Sequence, residues 1–149
     1  MPTDALEKEI TRMAKAKEFT VTILDKPGAL ASFCLALGER GVNILAFQSY
    51  VEEGESLARF VVDDPAGAME VLRYLRANFE QDDVAVVTLD HRPGALGRAA
   101  LCLGENKINI NYSYYGSDPA SKRHLLVFGV DQVNKAALLL DQIAESQPS

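Results

Sequence analysis

Two hexapeptides carry groups suited to holding a small charged ligand: Asp25-Lys26-Pro27-Gly28-Ala29-Leu30 and His91-Arg92-Pro93-Gly94-Ala95-Leu96. A proline fixes its own φ, so each turn is shaped before any ligand arrives. A glycine has no Cβ, so a ligand can approach the backbone there. A helix that begins at such a turn offers unpaired N–H groups and the positive end of its dipole, which suit a carboxylate. The Asp25 side chain can accept an ammonium from the same ligand. A carboxylate holder beside an ammonium holder amounts to a clamp for an amino acid. At the second turn His91 takes the place of Asp25, Asp90 stands one residue earlier, and Arg92 matches Lys26. A neutral imidazole accepts a hydrogen bond, whereas a charged one repels an ammonium. The second turn is therefore expected to be silent or to prefer a different ligand. The same residues also have a purely structural use, because Pro-Gly turns and Asp helix caps are common without any ligand.

The turns belong to a longer repeat. Shifted by 66 residues, positions 19–44 lie over 85–110 without a gap and 12 of the 26 pairs are identical, Val21/Val87, Leu37/Leu103 and Asn43/Asn109 among them. Two copies of so long a period indicate paired domains rather than a solenoid. In the first copy FTVTIL (19–24) reads as a strand that Pro27 and Gly28 end. Leu30, Phe33, Cys34 and Leu37 follow at helical spacing, and Gly41 stops that helix. Residues 43–51 and 56–62 read as a hairpin, and Asp64-Pro65 opens a second helix. The second copy repeats this order: strand 84–89, a helix from Leu96, a hairpin through the tyrosines 112, 114 and 115 and through 124–130, and a last helix capped by Asp131. An additional helix is expected over residues 4–17, with Asp4 and Glu7 as its capping box. The units are thus residues 1–18 as a helical extension, 19–81, and 82–149.

Each unit is βαββα, one strand short of the ferredoxin-like βαββαβ, an α+β class with helices on one face of an antiparallel sheet. Strand 84–89 is expected to serve both copies; the alternative is a fourth strand within 79–83. Both faces of strands 56–62 and 124–130 are apolar, so both require cover; helices cover one, the N-terminal helix or a second subunit must cover the other, and a homodimer is the favoured expectation.

A net charge of −6 with scattered basic residues excludes a phosphate-backbone partner. No apolar run spans a bilayer, and MPTDALEKEI lacks the apolar core of a signal peptide, so a soluble, cytoplasmic protein without membrane association is expected. Cys34 and Cys102 fall in predicted helices and read as packing residues. Two histidines and no Cys-x-x-Cys give no metal site, and no phosphate loop or nucleophile–base set implies a cofactor or catalytic residues. The tyrosine strand reads as core or subunit interface ahead of ligand stacking, and His124 as a strand surface residue.

Strand, then D-x-P-G-x-L, then helix, then Asn-Ile 15 residues after the glycine, all written twice, resembles the ACT domain over residues 19–145. That resemblance implies a regulatory module that binds amino acids at the turn. In such pairs a neighbouring domain's hairpin completes the pocket, which implies roles for Asn43, Ile44, Asn109 and Ile110, and for Tyr112 or Tyr114. It also implies a non-enzymatic protein, with an enzyme of amino-acid metabolism as a possible partner. The alternatives are a ligand-free dimerisation module, or a small ferredoxin-like enzyme with an inter-subunit pocket using Asp25, His91 or Tyr115 as acid or base.

Overall fold

The computed structural model describes residues 15–146, which form two compact units, one of residues 17–82 and one of residues 83 onward, with which 15 and 16 group. The first unit contains β1 (Lys15–Ile23), α1 (Ala29–Glu39), β2 (Ile44–Glu52), β3 (Glu55–Val62) and α2 (Pro65–Tyr74). Strand β3 lies between β1 and β2 and is antiparallel to both, with Phe60 opposite Phe19 on one side and Phe47 on the other. Alternate residues of these strands point at the helices, as a period of two demands. Phe19, Val21, Phe60 and Val62 meet Phe33 and Leu37 from α1 and Leu72 from α2. The Phe60 ring stands 5.5 Å from Phe19 and 5.2 Å from Phe33. The turn from β2 to β3 places Glu53 and Gly54 both at positive φ, the conformation a two-residue hairpin favours.

Strand β4 (Asn78–Leu89) leads from the first unit into the second, which continues with α3 (Ala95–Glu105), β5 (Ile110–Asp118), β6 (Arg123–Val130) and α4 (Val133–Ser146). Here β6 is the middle strand, antiparallel to β4 and β5, with Phe128 opposite Ala85 and Ser113. Its core joins Val87, Leu89, Leu126 and Phe128 to Leu103 of α3 and Leu140 of α4. Gly129 interrupts the apolar run of β6 because the Tyr112 ring lies over it; a Cβ there would collide with that ring.

Three sequence expectations are corrected. Of the helix placed over residues 4–17, residues 4–14 lie outside the described part, and 15–17 are strand. The alternation KAKEFTVTI carries β1 that far, and Glu18 is already paired across from Val61. The strand read at 84–89 begins at Asn78, so residues 79–83 are extended after all. Phe79 packs on the first unit's core, 6.1 Å from the Phe19 ring. Asp131 does not cap the last helix. That helix starts two residues later, its first turn closes from Ala136 N–H onto the Gln132 carbonyl, and the Asp131 carboxylate accepts from Asn111 Nδ2 instead. The cause is visible in the first unit, where two acidic residues share these tasks. Asp63 accepts from the Asn43 N–H, while Asp64 caps α2 by accepting from the Gly67 N–H at 3.0 Å. The second copy keeps the Asp63 equivalent and has Gln132 where the capping aspartate would be.

Candidate functional site

In each unit the turn between the first strand and the first helix is built on a glycine at φ +87°, Gly28 before α1 and Gly94 before α3. This left-handed conformation is one that residues with a Cβ enter at a cost. Neither helix has a side-chain N-cap. Ala29 N–H bonds to the Lys26 carbonyl and Ser32 N–H to the Gly28 carbonyl, and among the described residues no acceptor meets the N–H groups of Leu30 and Ala31. The second turn repeats the arrangement with Ala95 onto Arg92 and Arg98 onto Gly94, which leaves Leu96 and Gly97. The positive end of each helix is therefore open for an anionic group.

At the first turn a cleft of about 300 Å³ is walled by Ile23, Leu24, Leu30 and Leu57, with Asp25, Lys26, Ser49, Tyr50 and Ser56 as its polar groups. Asp25 is exposed, and among the described residues nothing bonds its carboxylate. Tyr50 turns its hydroxyl into the protein, where it has no hydrogen-bond partner, and the Arg59 guanidinium lies 5.1 Å from its ring centre. Burial raises the Tyr50 hydroxyl above the ordinary phenol range, with the Arg59 charge opposing. A larger apolar cavity of about 580 Å³ opens where β1 and α1 meet the segment 75–78; Lys26 reaches it but Asp25 does not.

At the second turn the equivalent cleft holds about 390 Å³ and contains Asp90, His91, Arg92, Pro93, Gly94, Leu96, Tyr115 and His124. The imidazoles of His91 and His124 stack face to face, with centroids 4.0 Å apart and planes inclined by 9°. The Tyr115 ring meets His124 edge-on at 5.5 Å. The Asp90 carboxylate is fully engaged: Oδ2 takes Arg92 at 2.8 Å and Oδ1 takes Arg123 at 2.9 Å. His124 Nδ1 is enclosed and, among the described residues, lacks a hydrogen-bond partner.

The structure thus gathers Asp25, Lys26 and Leu30 on one cleft and residues 90–96 on another, while Ala29 lines the larger apolar cavity and Pro27 and Gly28 line neither. Asn43, Ile44, Asn109 and Ile110 line neither. Asn43 ties the start of β2 to Asp63 through paired backbone and side-chain bonds, and Asn109 donates to Asn111. Ile44 and Ile110 pack beside the cores of their units. Tyr112 and Tyr114 stack on each other at 6.4 Å, on the same face as their alternation requires. Of the three residues considered as acid or base, His91 and Tyr115 share the second cleft and Asp25 belongs to the first. Ser49, Tyr50, Ser56 and His124 were not read as cleft residues. The signal was the strand register: Ser56 lies opposite Ile23 and His124 opposite Leu89, the last strand residue before each turn. Among the described residues no cluster of three or more His, Cys, Asp or Glu side chains is placed to hold a metal, and no helix is long and apolar enough to cross a membrane.

A family model described as an ACT domain pair matches residues 11–145. The chain belongs to that family. Its two described units are the two members of the pair, and the strand–PGAL–helix turns stand where the repeat in the sequence put them. Comparison with curated protein sequences finds no match. Among solved structures, protein BT0572 from Bacteroides thetaiotaomicron is 20% identical, covers 89% of this chain and 90% of its own, and superposes with a TM-score of 0.75. The regulatory subunit of aspartate kinase from Thermus thermophilus is 18% identical over 87% of this ACT pair and 92% of its own chain, with a TM-score of 0.59. The corresponding subunit from Thermus flavus gives 16%, 89%, 92% and 0.60. At such identities the likeness is one of fold.

Proposed function

We propose that this ACT pair is a non-catalytic regulatory protein that binds a small amino acid at the first turn and passes the signal to a partner. The observation that carries the reading is the first cleft. It places an unbonded carboxylate, Asp25, beside a helix start with unfilled N–H groups, across a space of about 300 Å³ that closes on Leu30 and Leu57. The ammonium goes to Asp25, with the Ser49 and Ser56 hydroxyls on the same cleft; the carboxylate goes to the N–H groups after Gly28; the side chain faces the leucines. Small-ligand sites have this make-up, apolar walls with a few converging polar groups. The partner class is an enzyme of amino-acid metabolism, a reading supported by the fold shared with aspartate kinase regulatory subunits. A second copy of the chain is the further proposed partner.

The test is thermal unfolding of the purified protein in millimolar concentrations of each of the twenty amino acids. A ligand that binds only the native state adds about 2.7 kcal/mol at 100 times its dissociation constant. One or two amino acids are expected to raise the midpoint, and Asp25→Ala is expected to remove the rise. No rise with any of them sinks the reading.

A further inference from the structure

The two clefts are built on the same backbone but carry opposite chemistry. Position by position, Asp25 becomes His91, Ser49 becomes Tyr115 and Ser56 becomes His124. Two residues of the first helical turn change as well: Ala31 becomes Gly97 and Ser32 becomes Arg98. In the first cleft the formal charges are one carboxylate and one ammonium, Asp25 and Lys26. At the second turn the one carboxylate, Asp90, is consumed by Arg92 and Arg123. The Arg98 guanidinium folds back over the turn, its Nη1 only 3.0 Å from where a Cβ on Gly94 would stand. Two guanidinium groups therefore hold the one carboxylate and a third lies against Gly94 at the helix start, so the charge around this turn is net positive.

Three features make this a built cavity rather than a charged surface. His91 and His124 are stacked into a fixed pair at its wall. His124 Nδ1 is enclosed and, among the described residues, without a partner. Gly97 lines the cleft, so at that position of the first helical turn the helix presents backbone rather than a side chain to the space.

We propose that the second cleft is an anion site. It takes a compact oxyanion, a dicarboxylate or a phosphate, that carries no ammonium group, and Arg98 with His91 confers that preference. The proposal rests on reading both turns as ligand sites and assigns them different ligands, so one chain would register two metabolites of unlike charge. An oxyanion would be received by the N–H groups after Gly94 and the free edge of Arg98, with Arg92 held in place by Asp90. An arginine fork suits carboxylate and phosphate oxygens alike. An amino acid's ammonium would face guanidinium groups there.

Isothermal titration and thermal unfolding of the full chain test this, with succinate and inorganic phosphate as separate probes and the amino acid chosen by the screen above as a third. Binding of succinate or of phosphate to the parent protein is expected, and whichever binds more tightly identifies the class. Arg98→Ala is expected to weaken it at least about tenfold, the loss of one charge-assisted hydrogen bond. His91→Asp, which restores the carboxylate of the first cleft, is expected to do the same. Arg73→Ala removes an equal charge from an exposed helix end in the other unit and is expected to leave the affinity unchanged. All of these sites are exposed, and circular dichroism verifies that each variant is folded. Three results overturn the proposal: neither anion binds, Arg73→Ala weakens binding as much as Arg98→Ala, or Arg98→Ala and His91→Asp both bind as the parent does. Amino-acid binding without anion binding leaves the function proposed for the first cleft standing and removes this one; anion binding without amino-acid binding does the reverse.

Discussion

Gly28→Ala is the substitution that tests the turn most directly. Gly28 sits at φ +87°, and an added Cβ would meet nothing within 4 Å. The change is therefore free of steric contact, and its energy is that of the backbone alone. A non-glycine residue in the left-handed region costs about 1–2 kcal/mol. The unfolded chain loses freedom at the same time, which returns about 0.4–1 kcal/mol. The net expectation is a loss of about 0.5–1.5 kcal/mol, or roughly 2–5 °C in the midpoint for a chain of this length. Gly97→Ala is the matched control. It makes the same chemical change within the first turn of α3, also with nothing within 4 Å, but without a positive φ. There alanine is favoured by up to about 1 kcal/mol, so the sign reverses. Urea unfolding of the two variants beside the parent gives the difference, expected at about 1–2 kcal/mol from the sum of those terms. The reasoning is refuted if Gly28→Ala equals or exceeds the parent in stability, because the turn would then not require a left-handed residue.

The helix starts offer a second pair of outcomes. Asp64→Ala removes the carboxylate that accepts from the Gly67 N–H and is expected to cost about 1 kcal/mol in denaturant unfolding. Gln132→Asp supplies the cap that α4 lacks and is expected to gain up to about 1 kcal/mol in the same assay. The third concerns Cys34, whose thiol is pushed up from the usual range by burial. Less thiolate exists at a given pH, so alkylation of Cys34 in the folded protein is expected to be slower than that of the same cysteine in denaturant. Because the unfolded thiol ionises first as pH rises, the unfolded state then holds fewer protons. Stability is expected to fall across the alkaline range between the two values, and Cys34→Ala is expected to remove that slope.

Most of the secondary structure was legible because it rests on local signals. Pro27-Gly28 and Pro93-Gly94 break strands, Gly41 takes φ +82° just past α1, and Asp64-Pro65 starts α2. What escaped were decisions that neighbours make. Residues 15–17 carry two lysines and an alanine, which suit a helix, but they continue the strand whose register with β3 starts at Glu18. Residues 78–83 are mostly polar, yet they continue β4, and the half-buried Phe79 packs on the core of the first unit. The turns themselves were legible as ligand candidates. The opposite wall of each cleft was not, because Ser56 and His124 reach it through strand register, and register is a long-range pairing that no local pattern states.

The internal repeat separates what the fold needs from what the clefts use. Identical positions include Val21/Val87 and Leu37/Leu103, buried in the two cores, and Gly28/Gly94, which hold the same left-handed φ. Asn43/Asn109 follows the helix at the same step in both. For the valines, leucines and glycines the structural reason applies equally to both copies. The cleft-facing positions behave differently. Asp25 against His91, Ser49 against Tyr115 and Ser56 against His124 are not conservative pairs, and in the helix that follows the turn Ser32 gives way to Arg98. Drift on an exposed surface would not stack two new imidazoles at 4.0 Å, nor lock Asp90 between two arginines while a third covers the glycine. A backbone kept constant by packing, with its recognition groups exchanged as a set, is the arrangement expected of two sites with different ligands. Converting the second set back toward the first, beginning with His91→Asp, is the most direct way to reverse it.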